Sequence, residues 1–283
     1  MNTKFEFLKV NPLPESPSIW TLEFDHGKAN EVGSQVLAEL DALAEQLSSA
    51  DGPVALISYS KRVSSKGTPI FIAGANVTER TDWDDARVKT HVRYQRAVLN
   101  RLRRAPVFHV CVVSGVALGW GTEFLITADY KIATNTASFG LPETGLGILP
   151  GAGGSSELQG LIGVAHTLRL GMTGERIKSN EALRIGLVQE CVEAFGTGLE
   201  RAVDLCQMVC KKSPSALAAF KMAVLSAMGT PAETRVEGEA LAYEHCVDTG
   251  EAAIGRTSFQ TIRTGGVPEW NTRVLPQGVN ADT

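Results

Sequence analysis

The sequence predicts an α/β fold that ends in an all-helical region. Two observations lead to this class: strand-like and helix-like apolar patterns alternate up to about residue 195, and only helix-like patterns follow. Strands that alternate with helices favour parallel pairing. We therefore expect three parts, an α/β core over residues 1–195, a helical region over 196–266 and a flexible tail over 267–283.

The first half of the core contains three strand patterns and two helix patterns. Residues 18–24 alternate apolar with polar positions, as a half-buried strand does, and residues 53–60 form the apolar run of a buried strand. The apolar stretch 68–76 is a third strand that breaks at a glycine. Apolar residues recur at helical spacing over 33–47 and 84–104. The second of these helices is expected to turn four apolar residues inward: Val88, Val92, Leu99 and Leu102.

The second half of the core repeats this alternation around a glycine-rich turn. Residues 107–119 form a strand pattern that enters the turn, and a helix pattern covers 121–130. Short strand patterns follow over 130–134 and 137–141. Beyond Val188 the patterns are helical only. They cover residues 198–229, 231–250 and 251–265.

The composition excludes several classes of protein. A formal net charge of −4 gives no general attraction to nucleic acid or to anionic membranes. The N-terminus lacks the basic and apolar regions of a signal peptide. The longest apolar run, residues 107–118, is interrupted by His109 and Ser114 and is too short to span a bilayer. We expect a soluble cytoplasmic protein that binds neither nucleic acid nor membrane.

The cysteines and histidines show no metal-binding pattern. The five cysteines are widely spaced, form no CxxC pair and are odd in number, which favours structural roles in a reducing compartment. The five histidines also lack the spacing of metal ligands. We therefore expect no bound metal.

Two carboxyl groups, those of Glu123 and Glu143, stand among apolar and glycine neighbours. Glu123 lies in the first turn of a helix expected to begin near Gly121, where free N–H groups and the helix dipole stabilise negative charge. Glu143 is the only charged residue between Lys131 and Glu157. A carboxyl among apolar neighbours tends to have a raised pKa, which suits acid–base catalysis. The alternatives are a glutamate that only complements the helix dipole and a solvated loop carboxylate.

A second strand-to-helix junction occurs within residues 70–80. A buried strand ends at Ala73–Ala75 and a helix is expected to start near Asn76, which leaves further backbone N–H groups free. One such junction is common. Two junctions and two isolated carboxyls in one α/β domain form a more specific set.

Five sequence segments form a pattern that is more specific than the predicted strands and helices alone. They are FIAGANVTE, VSGVALGWGTEF, ADYKIAT, ASFGLPETGLGILPGAGGSSELQGLIG and MTGERIKSNEALRIGLV. In this order, and within a similarity that runs from about Ser18 to about Thr264, they resemble the crotonase (enoyl-CoA hydratase/isomerase) superfamily, and its hydratase-like branch in particular. The resemblance implies a crotonase-type spiral of ββα units. It also implies that the C-terminal helices form a trimerisation region, in a homotrimer or in a homohexamer built as a dimer of trimers.

The resemblance implies a chemistry as well. Family members bind an acyl-CoA thioester, whose oxygen is held by two backbone N–H groups that correspond here to Ala75 and Trp120. The two catalytic glutamates correspond to Glu123 and Glu143, with Glu143 as the proton donor to Cα and Glu123 as the base that holds water. Coenzyme A belongs to the substrate in such a reaction, so no separate cofactor is expected.

Further substrate contacts follow from the resemblance, and three positions depart from the usual family residue. Trp120 replaces a glycine, Asn76 stands where aspartate is frequent, and Thr78 where lysine is frequent. The indole of Trp120 is expected to narrow the acyl pocket or to close its far wall. Phe259 matches an aromatic that covers adenine, and a place in the core is the alternative. The matching substrate-binding positions are Lys28, Ala29, Ala73, Gly74, Asn76, Val77, Gly151 and Phe259.

The leading hypothesis is an enoyl-CoA hydratase-type lyase, which adds water across the double bond of an α,β-unsaturated acyl-CoA, as in fatty acid metabolism. Alternatives within the same fold are an isomerase, a thioester hydrolase or a hydratase-lyase acting on a specialised acyl-CoA, as the unusual Trp120 suggests. A different alternative is a crotonase-fold module that binds RNA or a protein partner. The net charge of −4 argues against RNA.

Overall fold

A computed structural model describes residues 5–276 of the chain. Ten strands lie within this range, and their bounds follow. They are β1 Leu8–Leu13, β2 Ser16–Phe24, β3 Ala55–Tyr59, β4 Ile70–Ile72, β5 Phe108–Val113, β6 Val116–Leu118, β7 Tyr130–Thr134, β8 Ser138–Gly140, β9 Ile177–Lys178 and β10 Glu190–Val192.

Ten α-helices accompany the strands of the described chain. They are α1 Ser34–Leu47, α2 Asp85–Arg104, α3 Trp120–Ile126, α4 Leu158–Thr173, α5 Ser179–Arg184, α6 Phe195–Cys210, α7 Pro214–Ala227, α8 Ala232–Asp248, α9 Glu251–Thr257 and α10 Phe259–Arg263. Two short 3₁₀ turns, Thr78–Arg80 and Glu143–Leu146, follow β4 and β8. Of these helices, none combines the length and the apolar composition that crossing a bilayer requires.

The strands form two sheets that the chain visits in alternation. The larger sheet has the order β1-β2-β3-β5-β7-β10 and the smaller one β4-β6-β8-β9. Pairing is parallel except for β1 with β2 and β8 with β9. Each successive pair, β3 and β4, β5 and β6, β7 and β8, gives one strand to each sheet. The α/β spiral of ββα units followed by a helical region is therefore confirmed.

Several elements differ from the sequence expectation. The helix expected near Asn76 is a 3₁₀ turn, and strand β10 follows Val188, where only helical patterns were expected. The single helical pattern over 198–229 is interrupted between α6 and α7. The break occurs where Ser213 caps α7 by accepting a hydrogen bond from the N–H of Ala216 at 3.1 Å. A serine at this position favours a new helix N-terminus over continuation of the previous helix.

The described part of the C-terminal segment, residues 267–276, is attached to the core at Arg273. Its buried guanidinium donates to the carbonyl oxygens of Leu47 at 2.8 Å, Pro53 at 2.9 Å and Pro106 at 3.0 Å. These carbonyls end or follow core elements and lack helix or sheet partners. The composition-based expectation of a flexible tail from residue 267 did not anticipate this anchor, and residues 277–283 lie outside the described range.

Candidate active site

Three parallel strands of the smaller sheet end at one edge. Strand β6 pairs with β4, which sets Ala117 against Ile72, and with β8, which sets Leu118 against Gly140. In open α/β sheets, ligands bind beyond the carboxyl ends of parallel strands. The chain leaving β4 reaches Ala75 within three residues, and the chains leaving β6 and β8 reach Trp120, Glu123 and Glu143. The register therefore brings the predicted donors and acids to the same edge.

Two glycines at the start of α3 allow the ends of β4, β6 and β8 to lie close to one another. A Cβ at Gly121 would overlap the carbonyl oxygen of Ile72, which is backbone and cannot turn aside. Gly119 has a φ of +52°, and a Cβ there would lie 2.5 Å from Oε1 of Glu143. The carboxyl group of Glu143 thus rests against the backbone directly before Trp120, and only glycine leaves the space.

Glu123 lies in the first turn of α3 and is 3% exposed. Its Oε1 accepts hydrogen bonds from the backbone N–H groups of Ala152 at 2.7 Å and Gly154 at 2.9 Å. Burial raises the pKa of Glu123, while these two N–H groups and the guanidinium of Arg96 act in the opposite direction. One oxygen is therefore held by the loop, and the orientation of the carboxyl group is fixed.

Glu143 opens the 3₁₀ turn after β8 and is partly buried. Its Oε2 has no hydrogen-bond partner among residues 5–276. Burial raises the pKa of this carboxyl to about 7, and the charge of Glu123 contributes in the same direction. The two acids therefore lie within electrostatic range of each other, and Glu143 retains a proton close to neutral pH.

The N–H group of Ala75 is directed away from its neighbouring strand. Val32 pairs with Ala75 in a parallel bridge: the N–H of Val32 donates to Gly74 at 3.0 Å, and the N–H of Asn76 donates to Val32 at 2.9 Å. In such a bridge the N–H of the central residue points to the other side. Gly74 has a φ of +138°, and a Cβ there would lie 3.6 Å from the carbonyl oxygen of Leu118. The Ala75 turn is thus a neighbour of the turn that carries Trp120.

The N–H group of Trp120 is the first of α3, and the first N–H groups of a helix have no intrahelical acceptor. The Trp120 side chain is 2% exposed and stacks on Phe124, with ring centroids 5.8 Å apart. The indole is therefore packed within the hydrophobic core, while the backbone remains at the strand end. Within the described chain its Nε1 has no acceptor.

Most of the remaining residues predicted to bind substrate lie at or beside the Ala75 turn, whereas Phe259 lies elsewhere. Ala29 accepts a hydrogen bond from the N–H of Ala73 at 3.0 Å, and the side chain of Asn76 accepts one from Thr78 at 2.7 Å, so both lie at the Ala75 turn. Val77 follows and is exposed, as is Lys28, which precedes Ala29. Phe259 is 59% exposed on α10, so it does not take the core position that was its alternative, and it is not among the side chains at the strand ends.

Sequence reasoning missed two groups that support the site. The N–H groups of Ala152 and Gly154 hold Glu123, whereas the predicted Gly151 lies one step away, with its carbonyl bonded to Nε of Arg96 at 2.9 Å. The sequence signal was the segment PGAGG, whose glycines leave backbone N–H groups accessible. Asn30 is the second: it is buried, has a φ of +55°, and donates to the carbonyl oxygens of Phe24 and Phe71.

The described residues 5–276 contain no group of three His, Cys, Asp or Glu side chains placed to hold a metal ion. Cysteines in this range are free, and the most deeply buried of them, Cys111 and Cys206, have pKa values raised by burial. The groups present at the strand ends are the carboxyls of Glu123 and Glu143 and the backbone N–H groups of Ala75 and Trp120.

Comparison with known proteins gives a consistent family. A family model described as enoyl-CoA hydratase/isomerase matches residues 62–271. The chain is 31% identical over 260 residues to a probable mitochondrial enoyl-CoA hydratase 2 of Arabidopsis thaliana, covering 91% of this chain and 84% of that one. It is 30% identical to a short-chain-enoyl-CoA hydratase of Clostridium acetobutylicum, covering 81% and 86%. The crystal structure of an enoyl-CoA hydratase from Bacillus anthracis superposes with a TM-score of 0.84 at 28% identity, covering 95% of this chain and 100% of that one.

Proposed function

The chain belongs to the enoyl-CoA hydratase/isomerase family, and from this premise we propose that it adds water across the double bond of an α,β-unsaturated acyl-CoA. The observation that carries the proposal is the pair of carboxyls at neighbouring strand ends, Glu123 held by two N–H groups and Glu143 with a pKa of about 7. Two carboxyls beside backbone N–H donors can act together within one site, one taking a proton and the other giving a proton.

The thioester oxygen is stabilised by the N–H groups of Ala75 and Trp120. Addition of hydroxide to Cβ places negative charge on this oxygen as an enolate forms. The two donors bind that charge more strongly than they bind the neutral carbonyl, so they lower the barrier and do not merely hold the substrate. Removing one donor of this kind typically costs about 10²–10³ in rate.

The two carboxyls take different parts in the reaction. Burial raises the pKa of Glu123, and the two N–H hydrogen bonds to its Oε1 act against that shift in favour of the ionised form. We assign this carboxyl as the base that takes the proton of the attacking water. Glu143 carries a proton below pH about 7 and delivers it to Cα of the enolate. Water is then added across the double bond. Before the next cycle Glu123 must lose its proton and Glu143 must regain one, either by direct transfer between them or by exchange of both with solvent.

A panel of thioesters tests the reaction class. The purified protein would receive crotonyl-CoA, a 3-enoyl-CoA and a saturated acyl-CoA, and hydration, double-bond migration and release of free thiol would be followed separately. The proposal expects hydration of crotonyl-CoA to be the fastest conversion. Faster double-bond migration favours the isomerase alternative, faster thiol release the hydrolase, and tight, strongly salt-dependent RNA binding without turnover the binding module.

Hydration is expected to slow as the pH rises above about 7. The pKa of Glu143 is raised from 4.5 to about 7, so this carboxyl is protonated below that pH and loses its proton above it. Because the protonated form is the donor, the rate is expected to fall about tenfold for each further pH unit. The measurement is kcat/KM for crotonyl-CoA hydration across the neutral and alkaline range. The residual activity of a Glu143→Gln variant should lack this alkaline decline, and a wild-type profile that stays flat through pH 7 contradicts the assignment.

We also propose that the chain assembles as a homotrimer or as a dimer of trimers. Helix α8 has no buried residue in the single chain, and α4, α7 and α8 all expose large apolar side chains. Large apolar side chains exposed on adjacent helices, as on α7 and α8, mark an interface between proteins. Light scattering on the purified protein measures the mass, and a monomer would contradict the proposal. The exposed side chains include Val164, Leu168, Met172, Phe220, Val236, Leu241 and Tyr243.

A further inference from the structure

A group of polar side chains beside the candidate active site lacks hydrogen-bond partners. Within residues 5–276, no hydrogen-bond partner is present for the buried Nε and Nη2 atoms of Arg80, the Nε2 atom of His91 or the Nε2 atom of Gln95, although Nε2 of His91 lies 4.0 Å from a carboxylate oxygen of Glu79. Buried polar atoms nearly always have a partner in a folded protein, and leaving one unpaired is unfavourable. Three such residues close together indicate that something from outside the chain completes their hydrogen bonds.

The position of this group follows from the elements that carry it. Arg80 ends the 3₁₀ turn that begins three residues after Ala75. His91 and Gln95 lie one helical turn apart on α2, and the neighbouring Val92 approaches within 2.9 Å of where a Cβ of Gly151 would be. The turn and the first half of α2 therefore form a wall that runs from the Ala75 donor to the loop that holds Glu123.

Among residues 5–276 no carboxylate lies within 4.0 Å of the guanidinium of Arg80, although the charge of the adjacent Glu79 acts on it from farther away. Its neighbour Glu79 directs its carboxylate to α1, where it accepts from the N–H of Ser34 at 3.0 Å and from the Ser34 hydroxyl at 3.0 Å. Burial lowers the pKa of Arg80, and burial together with the charge of Arg80 lowers the pKa of His91. A partly buried guanidinium without an ion pair gains from a ligand that supplies an anion.

The chemistry of the free atoms specifies the missing partner. The unpaired atoms of Arg80 and Gln95 are nitrogens that carry N–H groups, so they can donate hydrogen bonds but cannot accept them. The matching group has several acceptor oxygens and negative charge, and a carboxylate fits the planar guanidinium with two parallel hydrogen bonds. A hydrocarbon chain on this wall would leave the donors unpaired.

We propose that Arg80 binds a carboxylate carried by the acyl group beyond its reacting double bond, with Gln95 and His91 completing the contact. The substrate class is thus an enoyl-CoA with an acidic end, not a simple hydrocarbon one. This inference rests on the proposed function, because it assumes that the acyl group lies between the Ala75 donor and Glu123.

The kinetic test compares two enoyl-CoA substrates of nearly equal shape. One carries a carboxylate on the γ-carbon, and the other carries an isopropyl group in its place. In the wild-type protein, kcat/KM for the acidic substrate is expected to exceed that for the neutral one at least tenfold. Arg80→Met keeps the length of the side chain without its charge, and is expected to reduce kcat/KM about 100-fold for the acidic substrate alone. Preference of the wild type for the neutral substrate overturns the inference.

Arg87→Met is the matched control, because the guanidinium of Arg87 already packs on an aromatic ring. Its Cζ lies 4.2 Å from the ring centroid of Trp83. This variant is expected to keep the wild-type selectivity. Arg80→Lys retains the charge but not the planar fork, and is expected to lie between the wild type and Arg80→Met. Circular dichroism and thermal melts establish that the three variants are folded. An Arg80→Met variant that is folded and keeps the wild-type ratio contradicts the proposal.

A binding measurement separates failure of this inference from failure of the proposed function. The saturated thioester with a terminal carboxylate cannot be hydrated, so calorimetric titration measures its affinity without turnover. Binding that is about 100-fold weaker in Arg80→Met than in the wild type supports the carboxylate site even if crotonyl-CoA is not hydrated. Equal binding, together with normal crotonyl-CoA hydration, overturns the carboxylate site and leaves the proposed function intact.

Discussion

Replacing Glu143 with glutamine is expected to slow hydration of crotonyl-CoA by about 10²–10⁴-fold, and Glu123→Gln by a similar factor. Glutamine keeps the size of each side chain but can neither release nor take up the proton that the reaction moves. Glu143 loses the group that is protonated near pH 7, and Glu123 loses the carboxylate that we propose as the base for the attacking water. KM is expected to change little, because the backbone donors of Ala75 and Trp120 are retained.

Steady-state kinetics of both single variants and of the double variant measure this effect. Because the two acids act on one proton transfer sequence, the double variant is expected to be little slower than the slower single variant. Glu45→Gln, on the exposed side of α1, is the control and should have wild-type activity. Unchanged turnover in both single variants would refute the assignment of the acids.

Gly121→Ala is expected to remove most activity and to destabilise the protein, because one added methyl group overlaps the carbonyl oxygen of Ile72. The added methyl group meets a main-chain atom that cannot turn aside, so α3 and the end of β4 must move apart. That movement separates the Trp120 donor from the Ala75 donor, and a loss of about 10² or more in kcat follows from misplacing one of them. Overpacking at a buried site lowers the free energy of unfolding by about 1–3 kcal/mol.

Activity and urea unfolding of Gly121→Ala should be measured together. The matched control is Gly196→Ala in α6, where an added Cβ would meet no atom within 4 Å. Alanine favours the helix relative to glycine, so this variant is expected to be at least as stable as the wild type. A fully active Gly121→Ala protein would mean that the close approach of α3 to β4 is not needed for the chemistry.

The strand ends that build the site are predictable from local patterns. The runs around GVALGWGTE and FIAGAN each combine a short apolar strand with glycines that stop it, and this information lies within about ten residues of Glu123 or Ala75. By contrast, β9 has two residues and exists because β8 pairs with it. Its two residues pair with partners 38 positions away (Ile177 with Phe139) and 40 positions away (Lys178 with Ser138), so the strand leaves no local pattern.

The residues that contact the site residues could not be predicted from the sequence. Helical spacing placed Val88 and Val92 on the inner face of α2, but the structure leaves both partly exposed and buries His91 and Gln95. A hydrophobic pattern assigns apolar residues to the inner face of a helix, so it cannot identify buried polar residues such as these. The contact of Glu123 with the N–H of Ala152 is hidden for a similar reason, since it depends on how the loop before α4 folds back.

The attachment of Arg273 has a consequence for how the chain is made. Its guanidinium joins carbonyl oxygens at residues 47, 53 and 106, all of which are synthesised long before it. At least 167 residues separate Arg273 from these carbonyls, so the segments that carry them leave the ribosome well before Arg273 does. An α/β core that folds during synthesis must therefore form while these three carbonyls still await their donor.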